Sequence, residues 1–291
     1  MTATQKSGPT PSLTPGRGLG LLALALALCF VATAERLKTV PRQAVDLELQ
    51  VALPLFVQVF MSAGDRYLAA NLAAIRALVV TTDKMRPEDY RILGKIQEDA
   101  SWLNPAHEDN YYIATAILPW NGELDAAQTI LKRASQARQF DYQPAFYYAF
   151  HLLHFKGDAV GASAWLRAAA EKLPSDDERL IMQNFAARWI DRAQDVDLAI
   201  RIVESMARQA RRRDFRAYLE QRVARLHSLK DLRAAAARYA ARFDRPPVKL
   251  QDLVDSGLVA AIPADPFGFG FELDPQGQII LRTTPPRQAR K

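Results

Sequence analysis

The sequence predicts a mainly α-helical protein with an N-terminal membrane segment, an array of helical hairpins and a small α+β unit ending in a β-hairpin. Three observations carry this. Residues 18–34 run without a charge, and apolar residues then recur at three- and four-residue spacing through most of the chain. Near the end, "IPADPFGFGFELDPQGQIIL", residues 262–281, is dense in proline, glycine and aromatics. With 49% hydrophobic and 24% charged residues among 291, the chain has the makeup of folded domains. A single cysteine, Cys29, excludes an internal disulfide framework and a cysteine-based zinc site, so packing must hold the fold. The net charge of +6 favours anionic surfaces or acidic partners without choosing among them.

The first 17 residues are polar and weakly basic through Lys6 and Arg17, and read as a cytoplasmic N-region. The run "GLGLLALALALCFVATA" follows. Its length, at about 1.5 Å per residue, spans roughly 25 Å, the short end of a bilayer core. Two readings stand. A signal-anchor would leave a single pass in the bacterial inner membrane with the bulk of the chain periplasmic. A signal peptide, cut after the small-x-small run Ala32-Thr33-Ala34, would release the chain to the periplasm. Leu28 stands where a lipoprotein box takes a small residue, so no lipid is expected on Cys29.

Residues 35–225 read as one helical domain. The stretch "VDLELQVALPLFVQVFMSAGDRYLAANLAAIRALVVTT" predicts two or three helices broken near Pro54 and Gly64. In "RPEDYRILGKIQEDASWL" proline precedes two acids, the composition a helix start favours. The middle of the chain repeats. Aligning "NGELDAAQTILKRASQA" with "KGDAVGASAWLRAAAEKLP" matches Gly122 with Gly157, Ala127 with Ala162, Leu131 with Leu166 and Ala134 with Ala169, all in one register. The preceding aromatic helices align as well, Tyr111 with Phe146 and Ala114 with Ala149. Glycine turns the chain, alanine lets helices approach, and leucine fills the gap.

These residues resemble the tetratricopeptide repeat family, with Pro174 in the place of that family's closing proline. Thr115 departs from its small-residue pattern. Ala199, Val203 and Met206 offer a degenerate further unit, and Gly64 with Ala69 an upstream one. The resemblance implies a helical stack that binds proteins along a groove, for which Tyr111, Tyr112, Tyr147 and Phe150 are the candidate lining. An aromatic stripe at this spacing is more often the mark of a core than of a groove.

No residue set predicts catalysis, a metal or a cofactor. His151 and His154 share a helix face without a carboxylate at a helpful spacing, and their apolar surroundings suit packed histidines. The acid pairs Glu88-Asp89, Glu108-Asp109 and Asp176-Asp177 sit at helix starts, where the dipole explains them. Residues 207–230 are basic, with arginines around a core-facing stripe of Phe215, Leu219, Val223 and Leu226, which suits a solvated helix rather than nucleic-acid binding.

Residues 226–291 form the last unit. Pro246 and Pro247 stop a long helix, Leu250, Leu253 and Val254 suggest a short one capped by Gly257, and "FGFEL" and "QIILR" flank the turn "DPQG". This order, with the turn Pro263, Asp265, Pro266, Phe267, Gly268, resembles the C-terminal half of type II secretion and type IV pilin-like proteins. A prepilin cleavage site is missing from the apolar run, and calcium is not carried over. Asp265 as a turn cap and Phe267 as a small-core plug explain the same residues structurally. The combined expectation is a non-enzymatic, membrane-anchored scaffold with protein partners and no nucleic acid, in assembly of a secretion or pilus-like system. The alternatives are an enzyme of cell-envelope polymers, with Asp177, Glu178 and His151 as the residues to test, or a structural spacer.

Overall fold

A computed structural model describes residues 15–39, 52–80 and 85–284. The chain divides into two compact units, Met1–Leu47 and Glu48–Lys291. In the first, α1 (Pro15–Thr39) carries the apolar run with Leu19, Leu22, Leu26 and Phe30 all exposed, and Thr33 Oγ1 donates back to the Cys29 carbonyl at 2.7 Å. Among the described residues no helix is long and apolar enough to cross a membrane. The side chains of Gly18 and Leu21, part of the expected membrane segment, lie outside the described ones, as do residues 1–14 of the expected cytoplasmic region.

The second unit holds eleven of the twelve described α-helices and the sheet. Its helices are α2 (Leu55–Met61), α3 (Arg66–Leu78), α4 (Pro87–Leu103), α5 (Glu108–Ile117), α6 (Leu124–Ala137), α7 (Gln143–Phe155), α8 (Ala159–Ala170), α9 (Asp176–Trp189), α10 (Val196–Gln209), α11 (Arg213–Phe243) and α12 (Gln251–Asp255). Strands β1 (Phe271–Leu273) and β2 (Ile279–Leu281) follow. The expected breaks at Pro54 and Gly64 are there: Pro54 immediately precedes α2, and Gly64 turns between α2 and α3 at φ 86°. Short polar side chains start the helices. Asp65, Asp158, Ser175 and Asp195 each accept a backbone N–H of the following first turn. Over α8 the cap closes so tightly that a Cβ on Gly161 would lie 2.1 Å from Asp158 Oδ2 and push that carboxylate off the Gly161 N–H it caps. Pro87 opens α4, and the Asp89 carboxylate accepts the Arg86 N–H at 2.9 Å.

The repeat register fixes packing. Gly122 and Gly157 both take left-handed backbone, at φ 88° and 66°, before α6 and α8. Ala127 with Ala162, Leu131 with Leu166, and Ala114 with Ala149 are all fully buried. Consecutive helices pack in series, α5 on α6, α6 on α7, α7 on α8 and α8 on α9. In the expected further unit Ala199, Val203 and Met206 are buried on α10. The largest apolar cluster runs from Ala145 on α7 through α8–α11 to Phe271 and Ile279 of the hairpin. Position 225, where the sequence suggests a boundary, lies inside the 31-residue helix α11 with that core continuous beneath it.

The end of the chain is a helix-plus-hairpin unit. Asp244 leaves α11 in left-handed backbone at φ 52°, ahead of Pro246, and Gly257 at φ 71° follows α12, whose Leu253 is fully buried. The strands pair antiparallel, Phe271 with Leu281 and Leu273 with Ile279, through a turn in which Asp274 Oδ1 accepts from the Gln276 and Gln278 N–H groups. Pairing is confined to three residues a side, because Phe269 and Gly270 give their N–H groups to Asp265 instead.

Candidate functional site

The aromatic stripe divides between core and surface. Tyr111 is fully buried on α5, its ring 4.9 Å from that of Tyr112 and its hydroxyl donating to Asp141 Oδ2 at 3.0 Å. Burial, with the Asp141 charge beside it, pushes that hydroxyl well above the usual tyrosine range. Asp141 is held in turn by Arg138 Nε at 2.9 Å, and Arg138 also reaches Glu108. Tyr112, Tyr147 and Phe150 are half-buried. Tyr112 donates to Gln143 Oε1 and meets Tyr147 edge-on at 5.9 Å. Three of the four expected groove residues therefore reach the surface of neighbouring helices, while Tyr111 anchors the hairpin.

The two histidines of α7 differ in burial, His151 being buried and His154 exposed. His151 is buried, its Nε2 sharing a 3.0 Å hydrogen bond with Thr115 Oγ1 and its Nδ1 without a partner in the described structure. Burial lowers its pKa from 6.5 to about 4, so the ring is neutral at physiological pH. Thr115, the departure from the small-residue pattern, is thus what the buried imidazole bonds to. His154 stacks on Phe150 at 5.2 Å, with exposed Trp120 alongside at 5.3 Å. Among the described residues no three metal-ligating side chains come together.

The C-terminal turn is built around one carboxylate. Asp265, with its side chain 1% exposed, accepts from the N–H groups of Phe267, Phe269 and Gly270 at 3.0, 3.1 and 2.6 Å. Its remaining charge is met by Arg225 Nη2 at 3.0 Å. Arg225 also donates to the Arg282 carbonyl at 2.7 Å, tying the strand end to α11. One turn earlier on α11, Arg222 bonds Asp191 and gives Nε to the Ala187 carbonyl at 3.1 Å, tying the end of α9 to the same helix. Phe267 lies under both guanidinium groups, 5.6 and 5.8 Å from their carbons, and edge-on to Tyr218. Burial raises the Asp191 carboxyl to about 6 against the pull of Arg222 and Arg225.

Two of the arginines expected in solvent are therefore core residues. Phe215, Leu219 and Leu226 are buried as their spacing predicts, but Arg222 and Arg225 are buried beside them. The signal was positional: Arg222 stands three after Leu219 and four before Leu226, on the apolar face. Buried carboxylates supply what makes such a placement tolerable. The expected role of Asp265 as turn cap agrees with this geometry, whereas Phe267 is half-buried against the two guanidinium groups and Tyr218, and it is Phe271 that enters the apolar core.

Compared with known proteins, the chain matches no family model, no curated protein and no solved structure.

Proposed function

We propose that the protein is a non-enzymatic, membrane-anchored scaffold that binds segments of other proteins in the bacterial cell envelope. The helical hairpins form a tetratricopeptide-like array, and the pilin-like C-terminal unit associates the scaffold with assembly of a secretion or pilus-like system. The observation that carries this reading is the repeated register. Gly122 and Gly157 share left-handed backbone, and Ala127 with Ala162 and Leu131 with Leu166 share full burial, though Ala169 is only half-buried where Ala134 is buried; such a repeated register is how a stack presents one extended binding surface. Tyr112, Tyr147 and Phe150, half-buried on neighbouring helices, give that surface apolar contact with polar tips. The exposed leucines of α1 support insertion of residues 18–34 in lipid.

Photo-crosslinking in cells tests this, with the crosslinker at Tyr147 of the full-length protein and a topology reporter at Lys291. The expected result is a protein adduct from Tyr147 and reporter activity outside the cytoplasm. A cytoplasmic reporter signal, or nucleic acid as the adduct, would overturn the proposal.

A further inference from the structure

Where the α8–α9 hairpin meets the connection from α10 to α11, the surface is hollowed into a groove of about 850 Å³, within the range of sites that enclose a ligand. Leu180, Met206 and Phe215 give it an apolar lining. Four arginines stand around them, Arg167, Arg179, Arg211 and Arg212. Two are matched within the fold: Arg179 pairs with Asp176 at 2.5 Å and Arg212 with Asp214 at 2.6 Å.

Arg167 is not matched. Its Nε is buried with no hydrogen-bond partner, and burial alone lowers its pKa, with no carboxylate offsetting it. Glu171, the residue capping the C-terminus of α8, also lines the groove, yet no ion pair between the two is present among the described residues. The neighbouring lining residues of α8 are Ala164 and Ala168, whose methyl groups leave the guanidinium uncovered from its own helix. A half-buried guanidinium with an unbonded Nε and no counter-charge gains a partner when an anion enters the groove. Among the described residues a second cation lining the groove has no carboxylate partner, the exposed Arg211 in the connection.

We propose that this groove binds a carboxylate-bearing, acidic peptide segment of a protein partner, with Arg167 as the fork and Arg211 as the outer cation. Leu180 and Phe215 receive the apolar side chains next to the acid. A singly charged carboxylate fits better than a phosphate or a nucleic acid, because Glu171 and Asp176 line the same groove and oppose a more highly charged anion. The planar guanidinium suits the two oxygens of a carboxylate, held by paired N–H donors. This assignment rests on the scaffold reading and names the chemistry of its partner.

The test uses the full-length protein in detergent micelles and fluorescence anisotropy with a labelled peptide of alternating glutamate and leucine. Its glutamine counterpart and inorganic phosphate are the comparisons. Binding is expected for the glutamate peptide alone, weakening as salt rises. Arg167→Met should weaken it roughly ten- to a hundredfold, the loss of one charge-assisted fork. If Arg167→Met does not fold, Arg211→Gln on the exposed rim should still weaken binding several-fold. Equal binding of the glutamine peptide, displacement by phosphate at matched concentration, or full binding by both variants would each overturn the assignment. A Tyr147 crosslink that persists while peptide binding ignores Arg167 would sink the groove and leave the scaffold reading standing. Arg167-dependent peptide binding with no protein crosslink at Tyr147 would do the reverse.

Discussion

The α7–α8 hairpin shares an apolar cluster with the C-terminal unit while α5–α6 pack in the neighbouring one, yet different physics holds the hairpins and the C-terminal unit. In the hairpins, alanine and leucine recur at fixed positions, and stability comes from removing apolar area from water at close approach. In the C-terminal unit, with only three residues paired per strand, buried arginines of α11 reach across to Asp191, Asp265 and the backbone of the hairpin. The lesson is about tolerance. An apolar register degrades gradually as methyl groups are removed, whereas a buried ion pair fails abruptly when one partner is lost, because the other charge stays behind.

Removing Asp265 should have the largest effect. Asp265→Ala leaves Arg225 buried with only Asp191, 3.9 Å away, as counter-charge and three N–H groups unbonded, and should cost about 3–5 kcal/mol in chemical denaturation. A loss under 1 kcal/mol would mean that the turn needs no charge. In the hairpins, Leu166→Ala should cost about 2–5 kcal/mol. Its equivalent Leu131→Ala should fall in the same range; a difference above about 2 kcal/mol between the two would break the claim that the register places them alike.

Titration separates the regions by sign. His151 is held neutral down to about pH 4, so the unfolded chain binds more protons below the ordinary value of 6.5. Its contribution is therefore full above 6.5 and lost as pH falls to about 4. Asp191 acts oppositely: raised to about 6, it makes the folded state bind more protons between about pH 4 and 6, so its contribution falls as pH rises through that window. Each effect is of order 1–3 kcal/mol. Asp191→Asn should expose the histidine slope and His151→Gln the aspartate slope, in melts from pH 4 to 7; slopes of the same sign would refute the assignment. The smallest effect is at the turn glycines. Gly157→Ala forces a Cβ into φ 66° with open space around it, a cost of about 1 kcal/mol that should leave the fold intact.

Much of the hairpin array was legible because its signals are local. Spacing of glycine, alanine and leucine reports helix, turn and buried face within one stretch of chain, and the acid pairs Glu88-Asp89, Glu108-Asp109 and Asp176-Asp177 fall in the first turns of α4, α5 and α9. The turn at Asp265 was legible for the same reason, its acceptors and donors lying within five residues. What escaped was the destination of the arginines. Arg222 meets Asp191 across 31 positions, and no periodicity reports which acid will lie opposite a buried cation. Tyr111 illustrates the same limit: its spacing suits groove and core alike, and its burial is decided by Asp141 arriving from the next loop to satisfy the hydroxyl. The groove around Arg167 is assembled from α8, α9 and the α10–α11 connection, so its unmatched charge exists only in three dimensions.

Native-state hydrogen exchange on wild type and Asp265→Asn tests the central contrast most directly. The account predicts that amides of Phe269–Leu281 lose protection by one to two orders of magnitude, while those of α6–α8 keep theirs. Equal loss of protection in the hairpins and the C-terminal unit, or no loss in either, would contradict it.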